Sequence, residues 1–113
     1  MIVQHKELAH GRWAQMPLAR QMANIGSEVS RALNWRKKGK PDLSQKALYR
    51  ALELIDLTSA GTRQYSRLKE VLRVREALVD FFYGENTFAS SEISWRKYFD
   101  QFAQIVSEDA NNL

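Results

Sequence analysis

Four stretches of this 113-residue chain return an apolar side chain every three or four residues, and none alternates apolar with polar for long enough to make a strand. Such spacing predicts helices that each bury one side. The broadest stripe lies in residues 63–83, RQYSRLKEVLRVREALVDFFY. On a helical wheel of roughly 100° per residue, Leu68, Val71, Leu72, Leu78, Val79 and Phe82 share one side, while Lys69, Arg73, Glu76 and Asp80 line the other. Arg75 falls near the middle of the apolar side. A guanidinium there needs a carboxylate, so the sequence predicts a buried ion pair of Arg75 with Glu28, which borders the stripe of the first helix, or with Asp56. The other role open to Arg75 is to anchor an acidic ligand in a groove of the fold.

The remaining helices have clear boundaries. From Pro17, the residues Leu18, Met22, Ile25, Val29 and Ala32 or Leu33 form a narrow stripe that carries a first helix to about Lys38. Beside it lie Ala19, Ala23, Gly26, Ser27 and Ser30, a face of small residues. Glycine in mid-helix costs up to ~1 kcal/mol relative to alanine, so Gly26 marks a close contact, with a helix of the same fold or with a second subunit. Cations at 36–38, then Gly39 and Pro41, stop this helix. Asp42 or Ser44 is the predicted cap of a second helix, whose Leu43, Ala47, Leu48, Ala51, Leu54, Ile55 and Thr58 share a side and which closes at 59–61. The third helix spans about 62–84. A polar loop follows, in which Phe88 is expected to plug an end of the core. Ser90 or Ser91, with Glu92, caps a fourth helix bearing Trp95, Tyr98, Phe99, Phe102, Ile105 and Val106. Residues 1–14 read as an N-terminal arm that folds back through Ile2, Val3, Leu8 and Trp13, and residues 107–113 as a flexible tail. The prediction is a single all-α domain, an up-down-up-down antiparallel four-helix bundle.

The composition removes several kinds of chemistry. With no cysteine there is no disulfide, thiolate zinc site, iron-sulfur cluster or thiol nucleophile. The two histidines, His5 and His10, sit in the arm and are expected to be unligated. No Glu-x-x-His pair, glycine-rich phosphate loop or nucleophile elbow is present, so no catalytic residue, metal or cofactor is predicted and the chain reads as a non-enzyme. No apolar run approaches the ~18 residues of a membrane span, and MIVQHKELAHGRW lacks the apolar core of a signal peptide; the expected compartment is the cytoplasm. The net charge of +4 is unevenly placed. Residues 1–50 hold ten Lys or Arg against three acids, a balance of +7, and residues 51–113 hold seven against ten, a balance of −3. Such asymmetry sets how helices face each other or how two copies associate.

Two kinds of partner follow. The first is another protein or a second copy, homodimer included, engaged through the small face of the first helix or through exposed aromatics such as Tyr49 and Tyr65. The alternative is nucleic acid, bound by Trp35, Arg36, Lys37, Lys38 and Lys40, where a flat aromatic amid cations offers stacking and phosphate contacts. The same cations also suit a helix C-terminus with no ligand at all. Arg63 and Arg67 belong to the opposite end of an antiparallel bundle, so a continuous basic patch is not expected.

The runs NIGSEVSRALNWRKKGK (24–40), RALELIDLT (50–58), RLKEVLRVREAL (67–78) and FFYGENTF (81–88) resemble a family of small uncharacterised prokaryotic helical proteins, over about residues 20–103. The resemblance implies a compact helical domain and supplies no catalytic residue. In shape the expected bundle is also similar to HEPN domains. Their ribonuclease signature, an arginine followed four to six residues later by histidine, is missing, because no arginine precedes either histidine.

Overall fold

A computed structural model describes residues 11–111. Among them lie four helices and no strand: α1 (Leu18–Lys37), α2 (Pro41–Gly61), α3 (Tyr65–Tyr83) and α4 (Glu92–Asn111). The links at 38–40 and 62–64 are too short to cross the domain, so consecutive helices run antiparallel and the fold is an all-α four-helix bundle. Helix α1 packs on both α2 and α4, and α2 packs on α3. The core draws Met22, Ile25 and Val29 from α1, Leu48 and Ile55 from α2, Val71 and Leu78 from α3, and Trp95 and Phe99 from α4. None of the four helices is long and apolar enough to cross a membrane.

The small face of α1 is used inside the fold. A Cβ built on Gly26 would lie 2.6 Å from Phe99 Cβ, so the glycine is what lets α4 approach. Arg96 then clasps α1, donating to Ser30 Oγ (2.8 Å) and Asn34 Oδ1 (2.8 Å) while its Nε and Nη2 hold Glu92 Oε1. Arg96, outside the aromatic stripe of α4, therefore contributes to the α1 contact.

The ends of the helices follow local chemistry. At the end of α1, Gly39 takes φ +72°, Lys40 N–H donates to Trp35 O (2.9 Å) and Gly39 N–H to Arg36 O (3.1 Å), the paired closure that glycine permits. Neither Asp42 nor Ser44 caps α2. Pro41, which has no N–H to satisfy, starts the helix; Asp42 lies in its first turn, and buried Ser44 turns its hydroxyl to Ala32 O of α1 (2.8 Å). Ser91 caps α4 as expected, through a reciprocal pair in which Ser94 N–H donates to Ser91 Oγ and Ser91 N–H to Ser94 Oγ.

At the N-terminal end Trp13 folds back onto the core as expected: it is 2% exposed, its Nε1–H donates to Thr58 Oγ1 (3.0 Å), and Gln21 Nε2 donates to its carbonyl (2.7 Å). Ile2, Val3, Leu8, His5 and His10 lie outside the described residues. At the other end, α4 continues through 107–111 in place of a tail from Ser107. Its polar residues there are spaced to pair along the helix, as Gln104 does with Glu108 (3.1 Å).

Candidate interaction surface

Helix α3 carries more apolar surface than one core can cover. Its buried residues are Val71, Val74, Ala77 and Leu78, which centre the core side about 90° from the midpoint of the six residues named from the sequence. Val74 and Ala77 enter the core, and Leu72 leaves it at 49% exposure. Leu72 shares an outer stripe with Tyr65 (77% exposed) and Tyr83. Half-buried Leu68 and Val79 border this stripe. At a rise of about 1.5 Å per residue, it runs roughly 27 Å from Tyr65 to Tyr83.

Helix α2 extends the surface. Tyr49 is exposed and neighbours Tyr83, and Gln45 Nε2 donates to the Tyr49 hydroxyl. Partial burial, then the neighbouring Tyr49, pushes the Tyr83 phenol above its ordinary pKa of 10.0. Arg75 marks the seam between the helices. Its Nε donates to Asp56 Oδ1 at 2.8 Å, with the two side chains 38% and 54% exposed. The predicted buried pair of Arg75 with Glu28 does not form. Arg75 sits at the edge of the core side, within reach of α2, whereas Glu28 is taken by Arg31 (3.1 Å) and by Arg50 of α2 (3.0 Å).

Other surfaces are less available. The cluster at 35–40 is split: the Arg36 guanidinium turns over the rings of Phe81 (4.9 Å) and Phe82 (5.5 Å), and Lys38 Nζ stands 5.3 Å from the ring centre of half-buried Trp35. Lys37 and Lys40 are exposed beside them. A polar groove between α1 and α4 is lined by Ser27, Ser30, Arg31, Asn34 and Asp100. Most of its polar groups are engaged already, Ser30 and Asn34 by Arg96, Arg31 by Glu28, and Ser27 by Ala23 O.

An apolar groove separates α3 from α4, with Val74, Ala77, Trp95 and Tyr98 among its walls. Phe88 edges this groove, 47% exposed, instead of plugging the core. Its loop is built to hold it there: the Asp80 carboxylate accepts the N–H groups of Thr87 (2.9 Å) and Phe88 (3.0 Å), while Asn86 and Ala89 take left-handed φ of 56° and 54°. Two of its polar side chains are matched within the fold, Tyr98 OH donating to Glu70 and Trp95 Nε1–H to Ser90 Oγ.

Among the described residues no group of three or more His, Asp or Glu converges as metal ligands would. Sequence periodicity found the aromatics Tyr49 and Tyr65 but missed Leu72 and Tyr83, because a wheel gives the width of an apolar arc and not which part of it the core takes. Comparison with protein-family models, curated proteins and solved structures finds no match for the chain.

Proposed function

We propose that the protein is a non-enzymatic helical-bundle module of the cytoplasm that works by binding another polypeptide chain along the α2–α3 face. The carrying observation is the outer stripe of α3. Tyr65, Leu72 and Tyr83 stand exposed in register on the side away from the core, with Tyr49 beside them. Exposed apolar groups gathered on one face, rather than scattered singly, mark an association surface. Tyrosine suits that surface, since it brings large contact area with little rotamer entropy and keeps a polar tip for the rim. The small face of α1 is withdrawn from the reading, because α4 already covers it at Gly26.

The basic cluster supports nucleic-acid binding less well. Arg36 is committed to the Phe81 and Phe82 rings, which leaves three lysines on a short turn for phosphates. The experiment is a photo-crosslinking amino acid placed at Leu72 in cells. A covalent adduct with a polypeptide is the expected result, and absence of any adduct, with the variant folded, refutes the reading.

A further inference from the structure

With the α2–α3 face taken as a docking surface, as proposed above, the charges beside the stripe select its occupant. The flank of α3 next to Tyr65, Leu72 and Tyr83 carries Lys69 and Arg73 in its first half and Glu76 and Asp80 in its second. Lys69, Arg73 and Glu76 are exposed and form no ion pair among the described residues, whose pairs are Arg31 and Arg50 with Glu28, Arg75 with Asp56, and Arg96 with Glu92. The flank is thus polarised, basic then acidic; among the described residues Lys69, Arg73 and Glu76 have no ion-pair partner, and the Asp80 carboxylate accepts only the Thr87 and Phe88 N–H groups.

A second α3 laid antiparallel on the first meets that pattern. A two-fold axis level with Val74 and across the helices brings the same flank of both copies together. Lys69 of each copy then faces Asp80 of the other, and Arg73 faces Glu76. Tyr65 and Tyr83 are equally far from residue 74, so Tyr65 of one copy meets Tyr83 of the other beside Tyr49, and both Leu72 side chains lie near the axis. A parallel pair would set the flank against the opposite side of the other α3, where Arg75 is already bound to Asp56. We infer that the occupant is a second copy of this chain, and that the protein forms a two-fold homodimer through antiparallel α3 helices, with Arg73 and Glu76 pairing across the interface.

The test uses the full chain and two charge reversals on exposed positions. Light scattering and sedimentation of the wild type, from low-micromolar to near-millimolar concentration, should show a monomer–dimer equilibrium that salt weakens. Arg73→Glu and Glu76→Arg should each raise the dissociation constant by at least about tenfold, since each puts like charges opposite one another twice. Mixed in equal amounts, the two variants should pair with near wild-type affinity, because each supplies the charge the other lacks; that recovery also shows that both are folded. A wild type that stays monomeric throughout overturns the homodimer, as does failure of the two variants to pair when mixed. A Leu72 crosslink to a different protein, with monomeric wild type, overturns the homodimer and leaves the docking face standing, whereas no crosslink at all removes both.

Discussion

Replacing Gly26 by alanine sets two effects of opposite sign against each other. In a free helix the change is favourable, by up to about 1 kcal/mol, because alanine orders at lower entropic cost. In this fold the added methyl would lie 2.6, 2.8 and 3.0 Å from Cβ, Cγ and Cδ1 of Phe99, where carbon atoms rest at about 3.5 to 4.0 Å. The Phe99 Cβ is fixed to the α4 backbone, so a rotamer change cannot relieve the clash. Helix α4 must retreat by roughly 1 Å, against the stacking of Trp95 on Phe99 and the Arg96 clasp on Ser30 and Asn34. Overpacking of this kind costs about 1 to 3 kcal/mol, and the net expectation is a loss of about 1 to 2 kcal/mol. Urea unfolding should show a lower midpoint with an unchanged slope, and the thermal midpoint should fall by about 4 to 8 °C. Gly61→Ala is the internal control: nothing lies within 4 Å of its Cβ position, so it should be neutral to stabilising. If Gly26→Ala were as stable as wild type, the close packing of α1 on α4 would be refuted.

Two further outcomes follow from the ion pairs and the buried phenol. Arg75→Ala should cost at most about 1 kcal/mol, as befits a pair with both partners well exposed. Glu28→Ala should cost more, about 1 to 3 kcal/mol, because Glu28 is 14% exposed and neutralises both Arg31 and Arg50; urea midpoints in the reverse order would contradict this. Tyr98 is held protonated first by burial and then by its hydrogen bond to Glu70 (2.7 Å), so its pKa lies above the ordinary 10.0. The folded state therefore holds this proton more tightly than the unfolded chain. The resulting stabilisation is complete below pH 10 and falls as pH climbs above it. Urea unfolding at increasing alkaline pH should show that decline, and Tyr98→Phe should flatten it to what Tyr83 still contributes.

Much of the surface was only half legible. The wheel of α3 put Arg75 inside an apolar arc and so implied a buried charge. The arc exceeds what the core covers, and Arg75 emerges at the seam with Asp56. Cap chemistry was legible at Ser91 and at Gly39, where a local hydrogen bond decides. It fails at Ser44, where α1, twelve residues upstream at Ala32, offers the hydroxyl a better acceptor in its carbonyl oxygen. Phe88 could not be placed from its own neighbours, because the Asp80 side chain sets the path of its loop.

By itself the sequence determined the number of helices, their boundaries to within a few residues and their antiparallel order. Those features depend on spacing within one segment and on links too short to cross the domain. Only tertiary structure decided which part of the wide α3 arc is buried, which carboxylate receives Arg75, and that the small face of α1 is filled by Phe99 of the same chain. Each of these turns on the rotation of one helix about its axis relative to another. That angle comes from the summed packing of every neighbour, and no single stretch of residues records it.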